Sequence, residues 1–286
     1  MTGKLVEIDD LRVAFRQEDG SYAEAVRGVG FTLGREKLGI VGESGSGKSL
    51  TGRSLMGILP KTARVSARTL RFDGNDVLSA PAETMRKLRG SRIGMILQDP
   101  KYSLNPVMRV GRQIVESIRA GDPKIGKTDA EKIAIDMLEA VQIRDPERVF
   151  RAYPHEVSGG MGQRVMIAMM LVREPDLLIA DEPTSALDVT VQARVLDILD
   201  ELVTRRNMGL IFISHDLGLV SRFCDRVIVM YAGQVVEEIA AKDLENATHP
   251  YTQGLLNCMP RINGSLEPLP VLDRDPAWLA ETGGAK

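Results

Sequence analysis

Short apolar runs that suit β-strands open the chain, and a different pattern follows them. Runs at residues 5–8, 11–15 and 30–33 alternate with polar and turn-forming residues, among them the EDGS segment at 18–21. This spacing predicts an antiparallel strand layer. From Lys37 onward, the apolar runs KLGIV, LLIA and GLIFI each lead through a loop into a helical stretch. That alternation predicts a parallel sheet covered by helices, so we expect an α/β fold.

The strand pattern is interrupted in the middle of the chain. At residues 110–118 the apolar positions recur at helical spacing, and Thr128-x-x-Glu131 has the form of a capping box that begins a further helix. We therefore expect one domain over residues 1–240, with a helical subdomain inserted at about residues 99–160. Residues 241–286, rich in proline and acids, are predicted to form a C-terminal extension.

Composition narrows the class of protein. The 286 residues are 43% hydrophobic and 27% charged, with a formal net charge of -2, which suits a globular chain without a general attraction to nucleic acid or anionic lipid. The apolar run at residues 165–172 is too short to span a bilayer, and the N-terminal MTGKLVEIDD does not fit a signal peptide. Cys224 and Cys258 lack the spacing of a zinc site or disulfide framework, which favours a reducing compartment. A role at a membrane would require docking onto another chain.

The first motif that indicates chemistry is GESGSGKS, which fits G-x-x-x-x-G-K-[ST] and follows an apolar strand. Backbone N–H groups of such a loop turn toward phosphate oxygens, and the helix behind it adds the positive end of its dipole. We expect Lys48 to neutralise the β- and γ-phosphates and the Ser49 hydroxyl to bind magnesium. The candidate nucleotide-binding residues of this segment are Gly42, Glu43, Ser44, Gly45, Ser46, Gly47, Lys48, Ser49 and Leu50.

A pair of carboxylates supplies the second half of such a site. The apolar run at residues 177–180 leads directly into Asp181 and Glu182. Asp181 is placed to face the magnesium ion, and Glu182 to polarise a water for in-line attack on the γ-phosphorus. The two motifs together predict nucleoside triphosphate binding and hydrolysis.

A further element precedes the helix whose apolar positions lie at residues 165, 168, 169 and 172. The glycines of Ser158-Gly159-Gly160-Met161 leave the N-terminal amides of this helix uncovered, and an uncovered helix N-terminus binds anions. Ser-Gly-Gly by itself is also ordinary loop chemistry. The order of the motifs along the chain therefore carries more weight than this element alone.

In that order the motifs resemble those of the nucleotide-binding subunit of ABC transporters, up to about residue 240. The matches are Phe15 at the adenine-stacking position, residues 42–49 (Walker A), Gln98 (Q-loop), Ser158, Gly159, Gly160 and Met161 (signature), Asp181 and Glu182 (Walker B), residues 185–188 (D-loop) and His215 (H-loop). The resemblance implies a P-loop NTPase (RecA-like) α/β core with an antiparallel β layer, an inserted helical subdomain and a short C-terminal tail.

The resemblance also implies a mechanism and partners. Two cassettes pair head to tail, so each ATP lies between the Walker A loop of one and the signature of the other, and Asp188 belongs to the same site. Gln98 senses magnesium and the attacking water, His215 contacts the γ-phosphate, and ATP and Mg²⁺ are the expected cofactors. Expected partners are a second similar or identical ABC ATPase, two transmembrane permease subunits and, through the complex, a periplasmic or extracellular solute-binding protein. The expected location is peripheral, at the cytoplasmic side of the inner (plasma) membrane, and no nucleic-acid partner is expected.

Three longer segments resemble the oligopeptide/dipeptide/nickel importer branch: QDPKYSLNP at 98–106, YPHEVSGGM at 153–161 and THPYTQGLL at 248–256. An ATPase that powers import of peptides or similar small solutes is therefore expected, with nickel, opine and glycoside import left open. His249 and Tyr251 are markers of the branch rather than catalytic candidates. Relatives usually carry a basic residue where Gly162 stands, and many have a cysteine-rich tail that can hold an iron–sulfur cluster. With Cys258 alone in that region, no such cluster is expected.

Two other classes of protein share the phosphate-binding loop. Soluble ABC ATPases of DNA repair or translation carry long coiled coils or two tandem cassettes, and neither heptads nor a second GxxxxGKS occurs in this sequence. A P-loop kinase would leave SGGM and the Asp181, Glu182 and His215 set without a role. The sequence leaves open the transported solute, the identity of the partner cassette and whether both composite sites hydrolyse ATP.

Overall fold

The structure is a computed structural model that describes residues 3–97, 104–185, 187–258 and 278. The chain divides into two compact units, one made of residues 1–80 and 211–286 and the other of residues 81–210.

In chain order the strands are β1 (Val6–Arg16), β2 (Tyr22–Leu33), β3 (Lys37–Val41), β4 (Ala63–Ser66), β5 (Thr69–Phe72), β6 (Asn75–Asp76), β7 (Ile93–Ile96), β8 (Leu177–Asp181), β9 (Gly209–Ser214), β10 (Arg226–Tyr231) and β11 (Gln234–Ala240). The helices are α1 (Lys48–Met56), α2 (Ala82–Ser91), α3 (Val110–Gly121), α4 (Lys127–Ala140), α5 (Pro146–Arg151), α6 (Gly159–Leu171), α7 (Val189–Arg205), α8 (Leu217–Phe223) and α9 (Pro250–Asn257), with short 3₁₀ helices at Pro154–Glu156 and Ala241–Asn246.

The antiparallel layer of the first unit has the strand order β2-β1-β5-β6, and β4 also pairs with β1. The runs predicted at residues 5–8 and 11–15 belong to one strand. Between Ile8 and Leu11 the register of this strand against β2 shifts, and Asp10 has a φ of 50°. A one-residue bulge moves the following side chains back to the same face. Leu11 and Val13 are therefore buried on the same face as Val6 and Ile8.

Parallel strands form the core of both units. In the first, the strand order is β11-β10-β3-β9, with β3 parallel to β10 and β10 joined to β11 as an antiparallel hairpin. In the second, β7 runs parallel to β8, with Ile93 opposite Leu177 and Ile96 opposite Ala180. All residues of β7, β8 and β9 are buried, as expected for strands covered on both faces. The predicted α/β fold is confirmed.

The helices α3, α4 and α5 pack together in the second unit. Ile114, Ala134 and Leu138 are fully buried in this packing. The predicted capping box at Thr128 and Glu131 is wrong: α4 begins at Lys127 after Gly126, and no side chain caps it. Thr128 lies inside the first turn, so its hydroxyl is not at the capping position. Within the described residues, none of the helices combines the length and the apolar character needed to cross a bilayer.

Candidate active site

The glycine-rich loop at residues 42–49 connects β3 to α1 in the first unit. Gly42 has a φ of 149°, and a Cβ at this position would lie 2.1 Å from the Met230 carbonyl oxygen and 2.9 Å from Ser46 Oγ. Neither distance leaves room for a side chain. Glycine at this position therefore lets the loop leave β3 in close contact with the end of β10.

The loop ends at Gly47, which precedes α1 in the left-handed conformation with a φ of 97°. Glycine adopts this conformation at no steric cost. The first turn of α1 holds Lys48, Ser49 and Leu50, and Ser49 and Leu50 are half-buried. The positive end of the helix dipole and the backbone N–H groups of this turn make it a suitable binding place for anions.

Lys48 is held within the loop. Its side chain is 5% exposed, and Nζ donates to the carbonyl oxygens of Gly42 at 2.8 Å and Glu43 at 2.7 Å and to Ser46 Oγ at 3.3 Å. These three acceptors fix the ammonium group beside the loop. The Lys48 side chain has therefore already lost much of its conformational entropy before its ammonium group binds a ligand phosphate.

Two hydrogen bonds join the loop to the rest of the unit, and a third fixes Gly233, which makes one of them. The Gly233 N–H donates to the Ser46 carbonyl oxygen at 3.2 Å, and the Arg27 N–H donates to the Gly233 carbonyl oxygen at 2.7 Å. The Glu43 N–H donates to the hydroxyl of Tyr251 at 3.1 Å. Sequence reasoning missed this role of Tyr251, although the segment that contains it resembles the importer branch.

Two other predicted residues belong to the first unit. His215 is exposed and lies between β9 and α8, in a turn that is fixed because Asp216 donates its N–H to Ser214 Oγ at 3.0 Å and caps α8. Phe15 is half-buried in β1, opposite Ala23 of β2 and Ala63 of β4. Its ring therefore has small neighbours on both adjacent strands.

The predicted carboxylates lie at the end of β8 in the second unit. Asp181 is 3% exposed, and Glu182 is half-buried with a φ of 48°. A positive φ is uncommon for a residue with a side chain and is retained mainly where the surroundings require it. Ser185 stabilises this turn, since its N–H and its hydroxyl each donate to the Glu182 carbonyl oxygen at 3.3 Å.

Two glutamines hold the residues that follow Glu182. Gln163 of α6 is 1% exposed and donates through Nε2 to the Pro183 carbonyl oxygen. Gln192 of α7 donates to Thr184 Oγ1 at 3.1 Å. The signature helix α6 is thereby bonded to the turn after the carboxylates. Sequence reasoning missed Gln163, although a polar residue beside apolar helix positions was a signal for such a contact.

The signature residues form the N-terminus of α6. Ser158 is the N-cap, and its hydroxyl accepts the Met161 N–H at 3.3 Å. A Cβ on Gly160 would lie 2.7 Å from Val191 Cγ1, so this glycine permits close packing against the start of α7. Asp188 caps α7 by accepting the Val191 N–H at 3.0 Å. Two capped helix N-termini therefore lie next to each other.

A cavity of about 560 Å³ opens beside these N-termini. Its lining includes the signature residues Ser158, Gly159, Gly160 and Met161, the cations Arg144, Arg148 and Arg164, and the carboxylates Asp188 and Asp145, the latter 3.5 Å from Arg148. Burial lowers the pKa of Arg164, and the nearby Arg194 and Arg144 lower it further. Crowded cations and helix N-termini attract negative charge, so the cavity suits an anionic ligand.

Comparison with known proteins identifies the family. A family model described as ABC transporter matches residues 26–185. The chain is 48% identical over 259 residues to y4tR of Sinorhizobium fredii, a probable peptide ABC transporter ATP-binding protein, covering 90% of this chain and 77% of that protein. It is 48% identical over 261 residues to the oligopeptide transport ATP-binding protein OppD of Salmonella typhimurium, covering 91% and 77%. The chain belongs to the ABC transporter family.

Solved structures agree with this assignment. cbiO1 from Clostridium perfringens, part of the ABC transporter complex cbiONQ, is 27% identical with a TM-score of 0.71, covering 85% of this chain and 91% of that one. The ATP-binding cassette MJ0796, in a dimeric post-hydrolysis state with ADP and Pi, has a TM-score of 0.72 over 82% of this chain and 98% of that one. At 23% identity, MJ0796 shows a shared fold. The chain is an ABC ATPase, and ATP is its nucleotide.

The residues predicted for the nucleotide site are distributed over the two units. The Walker A loop, Phe15 and His215 lie in the first unit, and Asp181, Glu182, Asp188 and the signature residues lie in the second. Within each unit the structure brings neighbouring motifs together, as the bonds between α6 and the turn after Glu182 show. Gln98 and Ala186 of the D-loop lie outside the described residues.

Proposed function

We propose that the chain is the ATP-hydrolysing subunit of an ABC importer for peptides or similar small solutes, located at the cytoplasmic side of the inner membrane. The observation that carries this proposal is a Walker A loop with Lys48 bonded inside it, in a chain 48% identical to an oligopeptide transport ATP-binding protein. Import of nickel, opine or glycoside by the same machinery is the alternative for the solute.

In this proposal the Walker A loop binds the phosphates of ATP through its backbone N–H groups, the first turn of α1 and Lys48. Phe15 stacks on the adenine ring. The candidate ligands of Mg²⁺ are Ser49, Asp181 and Gln98, which offer hydroxyl, carboxylate and amide oxygens, the donors that this ion prefers. Asp181, which is 3% exposed, holds its carboxylate at the end of β8. When bound, Mg²⁺ neutralises charge on the β- and γ-phosphates.

Glu182 is the proposed general base. It follows Asp181 directly, is half-buried, and is held with a left-handed backbone by the two hydrogen bonds from Ser185. Backbone strain of this kind is found at functional positions, where the surroundings fix the side chain. Glu182 accepts the proton of the attacking water, and His215 contacts the γ-phosphate.

The cavity beside the N-termini of α6 and α7 is the proposed binding place for the ATP held by a second cassette, similar or identical to this chain. Its arginines and helix N-termini complement the triphosphate. Val189, which follows Asp188, is 83% exposed. Burial of this exposed apolar side chain against a partner would be favourable. ATP-driven pairing of two cassettes would supply the movement that drives import.

The helical subdomain, about residues 99–160, is the proposed contact with the two permease subunits. Leu104 is 5% exposed and therefore cannot offer its side chain to a partner, whereas Val107 is 80% exposed. The loop that carries Val107 is fixed by Gln113, which donates to the carbonyl oxygens of Asn105 and Met108 at 3.0 Å each. Val107 is thus an apolar side chain held in solvent ahead of α3, in a position that a partner can reach.

Affinity purification from detergent-solubilised membranes tests the proposal. The tagged chain, expressed with the genes that neighbour it, should copurify with two permeases and a second cassette, and its ATPase activity should rise with the imported solute and a solute-binding protein. A photocrosslinker at Val107 should label a permease, whereas one at Leu78, 45% exposed in the first unit, should not. Recovery with DNA and no membrane protein would favour a soluble ABC ATPase instead.

A further inference from the structure

The segment at residues 248–257, which resembles the importer branch but had no role in the ATPase motifs, contacts the Walker A loop. Tyr251 is fully buried, at 0% exposure. Its hydroxyl accepts the Glu43 N–H at 3.1 Å, across 208 positions of sequence. Both residues lie in the first unit.

The segment is anchored before it reaches the loop. Glu237 of β11 accepts, through Oε1, the Thr248 N–H at 2.7 Å, the Thr248 hydroxyl at 3.1 Å and the His249 N–H at 3.3 Å. Burial by itself raises the pKa of the Glu237 carboxyl, but hydrogen bonds from this segment outweigh burial and leave the pKa below its ordinary value. His249 then caps α9, since Nδ1 accepts the Tyr251 N–H at 3.2 Å.

The Tyr251 ring is fixed by other aromatic rings. Its centroid lies 4.5 Å from that of Tyr231 and 5.8 Å from that of Trp278. Tyr231 is the last residue of β10, and the turn after it brings the Gly233 N–H to the Ser46 carbonyl oxygen. The tyrosine is therefore held by the same strand end that supports the loop, which leaves its hydroxyl little freedom.

The bond between Tyr251 and Glu43 fixes the orientation of one peptide group. The Glu43 N–H and the Gly42 carbonyl belong to the same planar trans peptide, so they point in opposite directions. On one side the N–H donates to Tyr251 at 3.1 Å, and on the other the carbonyl accepts from Lys48 Nζ at 2.8 Å. The hydroxyl of Tyr251 thereby determines how the Gly42 carbonyl is presented to the Lys48 ammonium group.

We propose that Tyr251 is a positioning residue of the nucleotide site, which acts through the 42–43 peptide group on Lys48 and so raises nucleotide affinity. The inference rests on the proposed function of the Walker A loop. Without the hydroxyl, the half-buried Glu43 N–H has to find another acceptor, and rotation of the peptide toward one would turn the Gly42 carbonyl away from Lys48.

Tyr251→Phe and Tyr231→Phe form a matched pair for the test. Each removes one phenol hydroxyl from the same aromatic group, but only the Tyr251 hydroxyl bonds to Glu43 among the described residues. In the full-length chain, the measurements are the Kd for fluorescent ATP with Mg²⁺, the thermal unfolding midpoint without nucleotide, and hydrogen exchange of the peptide that contains Glu43. In the assembled transporter, KM and kcat for ATP are measured separately.

We expect Tyr251→Phe to raise Kd and KM by about 2- to 10-fold, the range of one hydrogen bond, with kcat little changed and faster exchange at Glu43. Tyr231→Phe should leave Kd within about twofold, since its hydroxyl has no bond to this peptide group. Unchanged Kd in Tyr251→Phe, or equal weakening by both variants, would overturn the inference. If the unaltered chain and Lys48→Ala bind ATP equally weakly, the proposed function of the loop fails instead.

Discussion

Replacing Lys48 by alanine tests the phosphate-binding role of the loop. The substitution removes a cation that is 5% exposed and that makes three hydrogen bonds within the loop. It leaves the backbone N–H groups and the N-terminus of α1 in place. ATP binding should therefore be weakened through the loss of one charge rather than through the loss of the whole site.

The loss of ATP affinity depends on the difference between the bond that Lys48 makes to phosphate and the bond within the loop that it replaces. A unit charge about 4 Å from a phosphate oxygen contributes about 4 kcal/mol at an effective dielectric constant near 20. Part of this is offset, because all three donors of Lys48 Nζ are used within the loop, and a bond to phosphate would replace the longest of them, the 3.3 Å bond to Ser46 Oγ. The net loss should be close to that of a hydrogen bond to a charged group, about 2–3 kcal/mol, or about 30- to 150-fold in Kd.

Titration with fluorescent ATP and Mg²⁺ measures this change. Lys61→Ala is the control, because Lys61 is an exposed lysine in the same unit and lies outside the loop. Thermal unfolding without nucleotide shows whether each variant is folded. A folded Lys48→Ala chain whose Kd stays within about twofold of the unaltered value, well below the expected loss, would refute the phosphate-binding role of the loop.

Two further predictions concern packing and pairing. Gly42→Ala places a methyl group 2.1 Å from the Met230 carbonyl oxygen and should lower the free energy of unfolding by about 2–3 kcal/mol or more. At Gly45, which has a φ of 84°, a Cβ would meet no described atom within 4 Å beyond the neighbouring residues of the chain, so Gly45→Ala should lower the free energy of unfolding by only about 1–2 kcal/mol. Equal losses for the two variants in urea titrations would contradict the steric argument. Val189→Asp should prevent ATP-dependent pairing of two cassettes, measured by gel filtration with light scattering. Ile133→Asp, at a site that is 38% exposed, should not prevent this pairing. Retained pairing in Val189→Asp would exclude Val189 from the interface.

Local pattern was sufficient for the elements that carry the ABC motifs. The apolar run of β3, its glycine-rich loop and α1 form a continuous stretch of chain, and the same holds for β8 and the carboxylates that follow it. In both places the strand, the turn and the candidate side chain lie within a few residues of one another in the sequence. Steric and hydrogen-bonding rules of short range therefore decide the local structure.

Other features depend on contacts that no local pattern displays. Thr128 fits a capping box, but α4 begins one residue earlier, so the motif is not in the capping position. The bond between Tyr251 and Glu43 joins residues 208 positions apart and depends on how α9 packs beside the loop. Gln163 likewise reaches Pro183 through the packing of α6 against the turn after β8. Such pairs are set by tertiary packing, and the sequence shows only that each residue type is able to make the bond.

The most direct test of the central claim is ATP turnover by the assembled transporter carrying Glu182→Gln. Glutamine keeps the shape of the side chain but cannot accept the proton of the attacking water, so turnover should fall by about 10²- to 10⁴-fold. ATP binding should persist, since Lys48, Ser49 and the loop amides remain, and the two cassettes should stay paired with ATP between them. Turnover near that of the unaltered complex would contradict the account, because hydrolysis would then require a base other than Glu182.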